Sequence, residues 1–202
     1  MIRTFLLFLS LAVSNILFAQ SSIEYDKILK IENLKFNNNE IRIYKKYSTS
    51  TGLELFRFYE DEHQNWKAEF YQTVASKNNK DEITISIRKS KLNSLKNFEL
   101  IWTQILETDV SYLPSWEAFK YKLVTHIHNY EIIDGMITSS SSSGYILDGV
   151  SYDVKIKNIN QQNEFHYPNP ESYLKKYPNV DELISFKELL DLLRNDFKIF
   201  EN

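Results

Sequence analysis

His126 and His128 stand two residues apart in the run THIHNY, a spacing that on a β-strand points both imidazoles to one side and lets them chelate one metal ion. Two imidazoles do not make a site. A third ligand must come from elsewhere, and Glu131, Asp134 and His166 serve only if the fold gathers them. With such a ligand the chain would be a metal-assisted hydrolase; without it, the pair reads as ordinary surface histidines.

The other chemistry-bearing groups carry bland readings. Glu60, Asp61 and Glu62 with His63 form the densest acidic group, but no Asp-x-Asp-x-Asp-Gly loop surrounds them, so a solvated hairpin turn is expected. The serine run Ser139 to Ser143 lacks a Gly-x-Ser-x-Gly elbow and reads as a loop. The four glycines, Gly52, Gly135, Gly144 and Gly149, are too dispersed to cradle a phosphate, and no cofactor motif is present. Of 27 acidic residues, no pair is singled out for glycoside hydrolysis. Cysteine is absent, which removes disulfides, thiolate metal sites, a cysteine nucleophile and a lipid acceptor after the apolar N-terminal segment.

That segment speaks to location. Arg3 precedes an apolar run from Thr4 to Phe18, and Ala19 supplies a small residue, the layout of a secretory signal peptide. The expected organisation is a signal peptide over 1–19, then a single domain over 20–202 with a flexible Ser-rich loop at 138–144, exported to the periplasm or beyond the cell. The run is too short and interrupted for a membrane-spanning helix. A net charge of −3 without a basic cluster argues against nucleic acid, whose binding relies on Lys and Arg to neutralise phosphates.

The elements that must position these groups follow from periodicity. From Ile41 to Arg88 the chain alternates as four strands joined by polar turns, an antiparallel meander: Ile41, Ile43 and Tyr47; Leu53, Leu55 and Tyr59; Trp66, Ala68, Phe70 and Val74; Ile83, Ile85 and Ile87. Tyr44, Phe56, Phe58 and Tyr71 fall on the opposite faces, so a helix of this chain or a partner must cover them, and with a partner they form an exposed binding patch. Leu92 to Thr108 turns to helical spacing. Asp148-Gly149 between apolar runs signals a hairpin, and a second turn near Asn158 to Asn163 precedes a strand from Glu164 to Tyr167. Beyond Pro178, Leu183, Phe186, Leu190, Leu193 and Phe197 mark one stripe of a closing helix, with Asn179 as its N-cap. Grouped strands with few helices define an α+β fold: an antiparallel sheet, meander plus C-terminal hairpins, with two or three helices packed on one face.

Leu113-Pro114, then Asp148-Gly149-Val150-Ser151-Tyr152, then Phe165-His166-Tyr167-Pro168-Asn169-Pro170, then the closing helix resemble a family of small exported bacterial proteins without assigned function. The resemblance covers Leu92 to Phe197, implies a fold and carries over no catalytic residue. The serine run before Tyr145 departs from its pattern. Two classes of function follow: a non-catalytic binding or accessory protein of the cell envelope, recognising another envelope or extracellular protein or an envelope component, and an envelope hydrolase working through His126 and His128.

Overall fold

In the computed structural model the described residues are 24–77, 82–123, 128–141, 146 and 149–201, so the N-terminal signal expectation over 1–19 lies outside them. The chain has an α+β fold built on one six-stranded antiparallel sheet. Its strands are β1 (Glu40–Tyr47), β2 (Leu53–Glu60), β3 (Trp66–Lys77), β4 (Ile83–Leu92), β7 (Val150–Asn158) and β8 (Gln161–Pro168). They lie in the order β4-β3-β2-β1-β7-β8. The meander thus occupies one half, and the last hairpin returns to the free side of β1. A separate two-stranded ribbon consists of β5 (His128–Ile133) and β6 (Met136–Ser141).

The helices α1 (Phe98–Glu107), α2 (Trp116–Phe119), α3 (Pro170–Lys176) and α4 (Asp181–Phe197) are the other half of the fold. The Asn97 side chain caps α1 by accepting from the Glu99 N–H at 2.7 Å. The expected stripe of α4 is buried throughout, and Ile101 and Ile105 of α1 join it over Ile41, Ile43, Phe56, Phe58, Val154 and Phe165 of the sheet. Aromatic rings fill the seam, as where Phe56 meets Phe197 with centroids 5.1 Å apart. The α4 N-cap is Val180 rather than Asn179, and the helical spacing expected over Leu92 to Thr108 narrows to Phe98–Glu107, with Leu95 and Leu100 exposed.

The strand register corrects the expectation of an exposed aromatic patch. Phe56 pairs with Ile43 and Phe58 with Ile41, whereas Tyr44 pairs with Leu55, which in turn pairs with Tyr71. Phe56 and Phe58 therefore lie under the helices, and Tyr44 and Tyr71 lie on the reverse face. All four are buried. The chain covers its own reverse face: Tyr25, Leu29 and Ile31, from a helical turn over 24–28 and the segment after it, pack on Tyr44, Leu53, Leu55 and Tyr71. Beneath that segment Glu40, fully buried, accepts from Arg42 Nε at 2.6 Å and Arg57 Nε at 2.7 Å. The two guanidinium groups also reach the Leu34 and Lys35 carbonyls and pin the segment down.

Two turn assignments also change. β7 pairs with β1 and β8, so Gly149 enters a sheet between distant strands instead of closing a local hairpin; Asp148 lies outside the described residues. The Asp-Gly turn of the chain is Asp134-Gly135, with φ of 53° and 78°, both positive as a type I′ turn requires. It joins β5 to β6, and this places Thr138 to Ser141 of the serine-rich stretch in a strand, while 142–144 lie outside the described residues.

Candidate functional site

The expected metal centre is not assembled among the described residues. His126 lies outside them, and His128 opens β5 in the separate ribbon. His166 sits on β8 of the main sheet, its Nδ1 3.0 Å from Asp153 Oδ1. No group of three or more His, Asp or Glu able to hold a metal occurs among the described residues. Asp61 of the acidic group behaves as a turn residue: its carboxylate accepts from the His63 and Asn65 N–H groups and pairs with Lys67 at 2.6 Å. These bonds, the Lys67 ammonium first, hold its carboxyl down to about 2.

The structure instead gathers small, aromatic and polar residues at one end of β1, β7 and β8. Ser48, Trp116, Ile146, Gly149, Val150, Ser151, Pro168, Asn169 and Tyr173 line an open recess of about 370 Å³, near the lower end of the range for small-molecule sites. Asn169 is its pivot. It adopts the left-handed conformation (φ 47°, ψ 43°) between the end of β8 and Pro170, the first residue of α3. Among side-bearing residues Asn tolerates that conformation best. The conformation is held from both ends, because the Asn169 N–H donates to the Val150 carbonyl at 2.8 Å and Nδ2 donates to the Ile146 carbonyl at 3.2 Å.

Gly149 makes the opposite wall. Ser48 Oγ donates to the Gly149 carbonyl at 2.7 Å and accepts from its N–H at 2.9 Å, tying the end of β1 to the start of β7. The aromatic wall comes from Trp116 and Tyr173, edge to face at 5.0 Å, with Tyr167 and Phe119 behind them. Tyr167 donates to the Pro114 carbonyl at 2.9 Å, which fixes the loop that presents Trp116. The segments carrying Leu113-Pro114, Gly149-Val150-Ser151 and Pro168-Asn169-Pro170 thus meet at this one place. None of the described lining residues is charged, so the recess matches a neutral ligand with one apolar side and several hydroxyl or amide groups.

On the helix-covered face lies a buried polar cluster that alternation alone does not reveal. Lys45 is fully buried, and its Nζ has a long 3.4 Å hydrogen bond to the Phe200 carbonyl. Burial pushes its ammonium below the ordinary lysine value and pushes the cross-strand Glu54 carboxyl up. Tyr152, opposite Lys45 on β7, keeps a buried hydroxyl without a hydrogen-bond partner among the described residues. Glu171 of α3 accepts both Arg194 prongs at 2.7 and 2.9 Å, a bidentate pair that holds the carboxyl below its usual range. Phe200 closes over the cluster, its ring 5.9 Å from that of Tyr152. Alternating hydrophobicity conceals this arrangement, because Lys45 and Glu54 occupy inward positions of strands whose ends read as polar.

No protein-family model, curated protein or solved structure matches the chain.

Proposed function

We propose that this chain is a non-catalytic binding protein of the bacterial cell envelope and that the recess between Asn169, Gly149 and Trp116 is its ligand site. The ligand class is a neutral saccharide, an envelope component whose ring has an apolar face for Trp116 and Tyr173 and hydroxyl or amide groups for Ser48, Ser151 and Asn169. One observation carries the reading: an uncharged recess of about 370 Å³ sets the aromatic pair Trp116 and Tyr173 beside Ser48, Ser151 and Asn169. The recess offers no charged group, nucleophile and base pair or metal-ligand set among its described lining residues, which favours binding over hydrolysis.

The test is an amide and indole NMR titration of the chain with N-acetylglucosamine and with glucose. Saturating shifts confined to Gly149, Val150, Ser151, Asn169 and the Trp116 indole are the expected result. Hydrolysis of an oligosaccharide by the chain, or shifts centred elsewhere, would refute it.

A further inference from the structure

A second recess lies at the opposite end of the same three strands. Where the first is built on the end of β1 and the start of β7, this one is bounded by Asn39, just before β1, and by the turn that joins β7 to β8. Its volume is about 310 Å³, and Trp102 and Leu106 of α1 form its floor. None of its described lining residues is charged. Three of them are amides that the protein fixes by one half and leaves open by the other. Asn39 donates through Nδ2 to Glu60 Oε2 at 2.7 Å, which leaves Oδ1. Asn158 accepts the Asn160 N–H on Oδ1 at 3.0 Å, which leaves Nδ2. Gln161 donates through Nε2 to the Ser111 carbonyl at 2.7 Å, which leaves Oε1. None of these three remaining atoms has a hydrogen-bond partner among the described residues. Two acceptors and one donor are thus oriented in advance, which lowers the ordering cost of binding.

The apolar rim is held just as firmly. Tyr112 is 72% exposed although its neighbours Ser111 and Leu113 are buried. Its segment is fastened by the Gln161 bond to Ser111 and by Asn163 Nδ2, which donates to the Val110 and Leu113 carbonyls at 3.1 and 2.9 Å. Ile159, 81% exposed, comes from the β7–β8 turn. The two central residues of that turn, Ile159 and Asn160, both lack a positive φ, so this is not the type I′ or II′ turn that two-residue hairpins favour. An isoleucine there serves neither the turn nor the core, and it lines the recess.

These fittings differ from those of the first recess. The Trp102 ring packs on Trp66 and Phe58, with centroids 5.2 and 6.3 Å away, and the residue is only 8% exposed, so it offers a sugar no open face for stacking. Leu106 and Ile159 are aliphatic and suit a branched apolar side chain. Each peptide unit of an extended chain carries one N–H donor and one carbonyl acceptor. Asn39 Oδ1 and Gln161 Oε1 match two such N–H groups, and Asn158 Nδ2 matches one carbonyl. We propose that this recess docks an extended, uncharged peptide segment of a partner protein, with an aliphatic side chain against Trp102, Leu106 and Ile159 and its main chain on Asn39, Asn158 and Gln161. The site is independent of the saccharide recess, with which it shares no lining residue.

The probe is the capped peptide acetyl-Gly-Leu-Gly-amide, titrated into the parent chain and followed by amide and indole NMR. Saturating shifts at the Trp102 indole and at the amides of Tyr112, Asn158, Ile159, Asn160 and Gln161, with Gly149 and Asn169 unmoved, are the expected result. The same peptide N-methylated at its leucine and second glycine lacks two N–H groups and should bind at least ~10-fold more weakly. Asn158→Asp keeps the acceptor for the Asn160 N–H but removes the donor, and Ile159→Ser removes an exposed aliphatic wall. Each should weaken the peptide at least ~10-fold while circular dichroism shows the fold retained. A parent spectrum unmoved by the peptide up to its solubility limit, equal binding of the N-methylated peptide, or undiminished binding by either variant would overturn the proposal. So would shifts at these residues with N-acetylglucosamine in place of the peptide, which would make the recess a saccharide site.

Discussion

Asn169 Oδ1 stands 1.9 Å from the point where a Cβ on Gly149 would lie, and Asn169 Cγ stands 2.9 Å from it. The recess exists because the glycine lets the amide pass that close. Gly149→Ala drives a methyl group into a side chain tied to Ile146, so either the amide or the β7 entrance must shift. The expected loss is about 1–3 kcal/mol in urea unfolding, the range for overpacked sites, together with loss of saccharide-dependent shifts at residues 149–151.

Position 169 separates backbone strain from side-chain bonding. Asn169→Gly keeps the left-handed conformation without a Cβ penalty and gives up only the bond to the Ile146 carbonyl. Asn169→Ala gives up the same bond and adds a left-handed cost of about 1–2 kcal/mol. Alanine should therefore be the less stable of the two by about that amount in denaturant melts. Equal stabilities would mean that the backbone relaxes out of the left-handed region when the amide is removed.

Glu40 is the keystone of the reverse face. Removing its carboxylate leaves buried Arg42 and Arg57 with the Leu34 and Lys35 carbonyls and only the longer ion pairs to Asp26 at 3.9 Å and Glu69 at 3.6 Å, and breaking a buried charge network by deleting its closest partner costs up to about 3–5 kcal/mol. Glu40→Ala should lower the unfolding midpoint by that amount and expose amides of residues 24–36 to hydrogen exchange. A loss below about 1 kcal/mol would show that the segment is held by Tyr25, Leu29 and Ile31 alone.

Acid should act on the same groups. Burial works against the Glu40 carboxylate, but the Arg57 hydrogen bond and the charges of Arg42 and Arg57 outweigh it and leave its carboxyl below the ordinary range; Glu69 is lowered in the same sense by Lys89, Tyr71 and Arg57 against burial, and Glu171 chiefly by the Arg194 hydrogen bond. A carboxyl with a folded pKa below its unfolded value adds stability above the unfolded pKa of about 4.3 and loses it as pH falls through the folded value. Glu54, raised by burial, has the opposite sign and costs stability near neutrality. Denaturation curves from pH 7 downward should thus show the parent chain weakening below about pH 4, with Glu40→Gln weakening less over the same interval.

How much of this was legible in the sequence differs by level. The α4 stripe from Leu183 to Phe197 and the four meander strands follow from period alone, because burial of one face imposes it. Period does not fix the phase between strands. Alternation shows that Tyr44 opposes Ile43 within β1, but only the register with β2 shows that Phe56 sides with Ile43 and not with Tyr44. Both Asp-Gly pairs carry the same local signal, and long-range pairing of β7 with β1 decided which became a hairpin. The recess was invisible for the same reason: Ser48, Trp116, Gly149 and Asn169 are brought together by contacts across as many as 121 positions of sequence.

The central claim is tested most directly by the N-acetylglucosamine NMR titration run in parallel on the parent chain and on Trp116→Ala. Saturating shifts at Gly149, Val150, Ser151 and Asn169 in the parent, lost in Trp116→Ala while the remaining spectrum stays folded, are the expected result. A parent spectrum unchanged at saturating sugar, or shifts that survive loss of Trp116, would contradict the assignment of this recess as the ligand site.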